Sequence, residues 1–211
     1  MMERPQSFGE EIANSISHGV GFLAAVAAMP VLIVWAVQNG HAANVVGASI
    51  FSATMILLYL ISTLYHAIPM GQVKQFFVKL DHSAIYLFIA GSYTPFSLGV
   101  LRGAWGWTLF GLVWGLAALG LVLKFTNRLT RPWISTSLYL LMGWLVLIAA
   151  VPMVQRMSWV GLGWLAGGGI AYTAGVYFFI TDSRRFRHFV WHLFVLAGSI
   201  CHFFAVLWYA A

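Results

Sequence analysis

The chain has 211 residues, of which 61% are hydrophobic and only 8% charged. Soluble domains carry about 25% charged residues, so a water-soluble globular protein is excluded and an all-α polytopic membrane protein is expected. The net charge of +6 does not mark a nucleic-acid binder, because the basic residues fall between apolar segments rather than along one folded face.

Met1 to Glu11 form a polar, mildly acidic start without the basic region and cleavage pattern of a signal peptide. Seven transmembrane helices are predicted after it, at about 12–37, 44–68, 81–100, 104–125, 134–154, 159–181 and 188–209. Their short polar or Gly/Pro-containing connections suit antiparallel neighbours, and a single seven-helix transmembrane domain over 1–211 is expected, with no soluble module.

The first span opens with Glu11, Asn14 and His18, spaced three and four apart, a polar stripe on one helix face. His18 lies too deep to face lipid, so the stripe is expected to support a cavity in the bundle. The second span ends with Ser62 and His66. The third is predicted to start at Asp81 and to be kinked by Pro95, opening space beside Asp81. Gly111/Gly115 and Gly163/Gly167 form small-xxx-small pairs, expected to allow close helix packing. The last span carries His188, His192, Cys201 and His202. Cys201 is the one cysteine, so no intrachain disulfide forms, and it is expected to pack. His202 is roughly 15 Å beyond His192 along a helix and is read as a packing residue. His41 falls in a loop, and His82 is expected to point away from Asp81.

Orientation follows from the basic residues. One side holds Arg4, Lys74, Lys79, Lys124, Arg128, Arg131, Arg184, Arg185 and Arg187; the other holds only Arg102 and Arg156. The positive-inside rule then predicts a cytoplasmic N-terminus and an outside C-terminus in a bacterial inner membrane. His66, Asp81, His188 and His192 all fall at the cytoplasmic face in this arrangement.

That convergence points to metal chemistry. His188 and His192 are four apart, the spacing at which a helix offers two imidazoles to one ion. His66 supplies a third from another helix, and three neutral nitrogens with an open position make a catalytic type of zinc site. Asp81 is placed to hold or deprotonate a water there, and Ser62, one turn before His66, to orient it or donate to an oxyanion. Plainer readings stand beside these. The histidine pair could sit in the headgroup zone, Asp81 could cap the third helix, and Ser62 could simply pack.

The motifs Glu11-Ile-Ala-Asn14-Ser-Ile-Ser-His18, Ser62-Thr-Leu-Tyr-His66, Asp81-His-Ser-Ala-Ile-Tyr, Gly91-Ser-Tyr-Thr-Pro95-Phe, His188-Phe-Val-Trp-His192 and Cys201-His202-Phe resemble the bacterial hemolysin III proteins over essentially the whole chain. That family belongs with the progestin and adiponectin receptors and, more distantly, the alkaline ceramidases. The resemblance implies a seven-helix fold, zinc held by His66, His188 and His192, a role for Asp81 at the zinc water and a supporting role for Ser62. It also implies a lipid-lined cavity, a ceramidase-like hydrolase activity and a link to membrane fluidity. The long terminal extensions of the eukaryotic receptors are missing, so recognition of a protein hormone is not expected. Membrane lipids are the expected partners; oligomeric state is not indicated. The leading expectation is a zinc-dependent hydrolase of a lipid amide or ester. The alternatives are a membrane-state sensor with structural zinc and a pore-forming cytolysin. Seven apolar spans argue against a toxin, which has to be soluble before it inserts.

Overall fold

The structure is a computed structural model that describes residues 5–129 and 131–210; Arg4, counted above for orientation, lies outside the described residues. Among these residues there is no strand, and seven helical segments are long and apolar enough to cross a membrane.

Helix α1 (Phe8–Asn39) is started by Ser7, whose backbone N–H and hydroxyl both donate to the Glu10 carboxylate, at 2.9 and 2.7 Å. It pairs with α2 (Ala42–Ala67), which packs on α3 (Gln72–Pro95). The third span is longer than the sequence suggested. Asp81 is not at its start but nine residues inside it, so the helix-cap reading of Asp81 is overturned. Lys74, assigned above to a loop, lies on α3 and is buried, at 6% exposure. Helix α3 is the central element: 72% of its apolar window is buried, against 11–50% in the other spans. Small and hydroxylated residues such as Ala84, Ala90, Gly91 and Thr94 let neighbours approach it.

At Pro95, which has no N–H to donate, α3 rewinds into a π-turn, Phe96–Leu101. Arg102 and Gly103, both with positive φ, lead into α4 (Gly103–Phe125). The fifth span, predicted as one helix over 134–154, is broken into α5 (Pro132–Gly143), a 3₁₀ stretch (Leu145–Ala149) and α6 (Ala150–Arg156). Pro152 explains the break: its ring cannot bond the carbonyl of residue 148 and collides with it. Tyr93 of α3 satisfies the groups the break frees, donating from Oη to the Gly143 carbonyl (2.6 Å) and accepting from the Val146 N–H (2.9 Å). Helices α7 (Trp159–Ile180) and α8 (Arg187–Tyr209) form an intimate pair, and α8 returns to pack on α1.

The small-xxx-small expectation fails. A Cβ at Gly111, Gly115 or Gly163 meets nothing within 4 Å, and one at Gly167 meets only Cys201 Sγ at 3.8 Å. The close approaches lie at other glycines, including Gly106, Gly120, Gly168 and Gly198.

Candidate metal centre and cavity

The starts of α1, α3 and α8 and the end of α2 meet at one end of the bundle, and the polar residues named from the sequence meet there too. His66, His188 and His192 each offer a ring nitrogen, and these nitrogens lie within 4.8 Å of one another. That is close enough for the three to hold one metal ion. Ring centroids are 4.8 Å apart for His188–His192, 5.0 Å for His66–His192 and 5.2 Å for His66–His188.

Each of these rings is oriented through Nδ1. His66 Nδ1 lies 2.7 Å from Glu11 Oε2. His188 Nδ1 lies 3.2 Å from Asp182 Oδ2. His192 Nδ1 faces the Ser17 hydroxyl at 3.1 Å and the Asn14 carbonyl at 3.3 Å. Ser17 donates its own hydrogen to that same carbonyl, at 2.8 Å, so its oxygen is left to accept from His192. With an acceptor at every Nδ1, the proton of each imidazole is held there and Nε2 keeps its lone pair. His66 Nε2 is buried and has no hydrogen-bond partner. A buried polar atom without a partner is costly, and a cation at the convergence point would supply the missing one. Three neutral imidazole nitrogens form a donor set that suits zinc, so the residues present fit the metal.

Support extends to a second layer. Glu11 also pairs with Lys74, 2.8 Å from its Oε1, and Lys74 donates to the Tyr65 and Ile68 carbonyls at the end of α2. The carboxylate that orients His66 is thereby fixed in turn. Glu10 accepts from the Phe186 N–H at 2.7 Å, tying the start of α8 to α1. Phe186 holds a left-handed conformation, φ 60°, in the turn that presents His188.

His18 is buried and outside the three-histidine group. Its ring stacks flat on His192, centroids 3.5 Å apart and planes 6° from parallel, and its Nδ1 lies 2.8 Å from Ser62 Oγ. Ser62 in turn interacts with the Asp81 carboxylate. Asn14 is fully buried, and its side chain donates to Gln6. Every site residue named from the sequence is therefore found at this end of the bundle, with Glu11 and Asn14 acting on the histidines and His18, Ser62 and Asp81 forming a linked set beside them.

These groups open into a cavity of about 410 Å³ between α3, the broken fifth span, α7 and α8. His18, Ser62, Asp81, His188 and His192 line one end; most of the remaining wall is apolar, including Phe88, Leu147, Leu162 and Phe179. His82, expected to point away from Asp81, lines the same cavity edge-on to Phe179. His202, read as a packing residue, also reaches it.

Asp182, Ser17 and Lys74 were missed in the sequence. The signal for Asp182 was there, as the one acid in the basic connection before α8, six residues ahead of His188. Lys74 gave none, because the start of α3 reads as a loop.

Comparison with known proteins identifies the family. The family model described as haemolysin-III related matches residues 6–203. The chain is 44% identical over 211 residues to a Bacillus cereus protein called Hemolysin-3, covering 99% of this chain and 95% of that one. It is 46% identical over 202 residues to the Bacillus subtilis (strain 168) Hemolysin-3 homolog, covering 95% and 94%. A human protein named monocyte to macrophage differentiation factor is 31% identical over 169 residues, 75% of this chain and 68% of that protein. No solved structure matches. With its seven spans and these bacterial relatives, the chain is a multi-pass bacterial membrane protein and belongs to the haemolysin III family.

Proposed function

We propose that this protein is a zinc-dependent hydrolase of a membrane-lipid amide or ester, acting at the cytoplasmic side and serving membrane homeostasis. The observation that carries this reading is the placement of three convergent imidazoles beside a buried carboxylate, Asp81, at the polar end of an apolar cavity. When bound, zinc supplies a Lewis acid that polarises a carbonyl and acidifies water near neutral pH. The chain does the rest. The apolar walls take the acyl chain and exclude bulk water. Asp81 takes the proton of the attacking water on its carboxylate and returns it to the leaving group. Ser62, 2.8 Å from His18 Nδ1, stands where it can orient Asp81 or the substrate carbonyl. Asp81 stands outside the three-nitrogen group, which supports an open coordination position rather than a closed structural site.

The test is metal content and lipid hydrolysis on the purified protein. Wild type should carry about one zinc per chain, and His188→Ala/His192→Ala should carry none. Asp81→Asn should keep its zinc and lose about 10²–10⁴-fold of fatty-acid release from phospholipid or ceramide substrates. Folded wild type without bound metal overturns the proposal. Loss of zinc from Asp81→Asn makes Asp81 a ligand and favours the sensor with structural zinc.

A further inference from the structure

Three arginines cluster where α7 hands over to α8: Arg184 and Arg185 in the turn, and Arg187 at the first position of α8. The turn joins two spanning helices, so it lies at the level of the lipid headgroups. Four side chains among the described residues bear a carboxylate, and none answers these arginines. Glu10 accepts from Ser7 and the Phe186 N–H, Glu11 pairs with His66 and Lys74, Asp182 with His188, and Asp81 is buried at the cavity.

Arg184 and Arg185 are exposed. Arg187 is held. Its guanidinium carbon stands 5.2 Å from the centroid of the Tyr177 ring and 5.8 Å from that of Phe178, within cation–π range of both. Nη1 donates to Thr181 Oγ1, and Thr181 donates its own hydrogen to the Tyr177 carbonyl. The chain thereby fixes one edge of the guanidinium. Nε and Nη2, the pair that projects side by side, have no partner among the described residues, and neither is a buried atom. The positive-inside rule accounts for the charges of this turn. A charge that only sets topology, however, needs no pair of rings and no hydroxyl to fix its direction.

We infer that Arg187, flanked by Arg184 and Arg185, binds the phosphodiester of an anionic phospholipid. Two phosphate oxygens accept from Nε and Nη2, the bidentate geometry that an arginine offers and a lysine does not. Tyr177 and Ile180 are exposed on the same end of α7 and offer an apolar surface to the acyl chains. A zwitterionic headgroup would bring its own cation among three arginines, so a lipid of net negative charge is favoured. His188, the next residue, lines the cavity, whereas Arg187 does not. The bound lipid thus lies outside the cavity, and the inference is independent of the hydrolase reading.

The probes are phosphatidylglycerol and phosphatidylcholine with the same acyl chains, titrated into the purified full-length protein in a neutral detergent. Bound lipid is counted by native mass spectrometry. Wild type should bind phosphatidylglycerol about tenfold more tightly than phosphatidylcholine. Arg187→Gln, which keeps a donor for Thr181 and loses the charge, should cut that preference about fivefold or more. Arg184→Gln/Arg185→Gln, which alters only exposed side chains and leaves helix packing alone, should cut it about fivefold. Arg128→Gln/Arg131→Gln, exposed in the turn before α5, should change it less than about twofold. Equal binding of the two lipids to wild type overturns the inference, as does a preference that survives Arg184→Gln/Arg185→Gln/Arg187→Gln. An equal loss from Arg128→Gln/Arg131→Gln also overturns it, because the lipid then answers the charge of the whole face. Displacement by inorganic phosphate, at an ionic strength where chloride displaces nothing, makes the ligand a free anion and overturns the lipid assignment.

Discussion

The three candidate ligands differ in what holds them, and that difference predicts how each responds to substitution. His66 leans on Glu11, which is also the partner of the buried Lys74 ammonium. His188 leans on Asp182, in the turn before α8, and His192 on a backbone carbonyl and Ser17. Outer partners of metal-bound histidines typically contribute 10–100-fold in metal affinity. Glu11→Ala should fall at the upper end of about that range, because it also leaves Lys74 without its counter-charge in a buried place. Asp182→Ala should fall near the lower end. Competition with a zinc chelator measures both; equal losses would show that the Lys74 pair does not matter. The cluster of three histidines was legible in the sequence because the i, i+4 pair and the polar ends of apolar runs are local patterns. Their supports were not, because Glu11–His66 spans 55 positions and His192–Asn14 spans 178.

At the scale of the element, helix positions were readable and helix contacts were not. Apolar runs of spanning length mark the segments whatever their neighbours, whereas a small residue matters only if something lies opposite it. Gly106 and Gly111 lie on the same helix, α4, and separate the two cases. A Cβ at Gly106 would stand 2.2 Å from the Ser97 carbonyl oxygen in the π-turn, and backbone cannot move aside cheaply. A Cβ at Gly111 meets nothing within 4 Å. Gly106→Ala should therefore destabilise by about 1–3 kcal/mol, the usual effect of overpacking. Gly111→Ala should be neutral or stabilising, by up to about 1 kcal/mol, from helix propensity. Thermal unfolding in detergent reads both, and a destabilised Gly111→Ala would mean that a second copy packs on that face. The broken fifth span belongs to this scale too. The fifth apolar run was expected to continue unbroken through Pro152, and only the position of Tyr93 on α3 shows how the break is sealed beside the cavity.

For the whole molecule, the sidedness of the membrane decides which leaflet the histidine group serves. The alternation of seven helices places the starts of α1, α3, α5 and α8 and the ends of α2, α4 and α7 at one end. Lys79, Lys124, Arg128, Arg131, Arg184, Arg185 and Arg187 fall at that end, with Arg102 and Arg156 at the other. Lys74 no longer counts as a free loop charge, since it is buried against Glu11; by the positive-inside rule, seven against two predicts a cytoplasmic histidine end. Single cysteines in a Cys201→Ala background test this. Ser183 and His41 are exposed at opposite ends of the bundle. Ser183→Cys should react with a membrane-impermeant maleimide only after the cells are opened, whereas His41→Cys should react in intact cells. The reverse pattern would place Asp81 and the three histidines under the outer headgroups. The substrate would then have to come from the outer leaflet, and the charge asymmetry would need another explanation, such as binding of anionic lipid at that face.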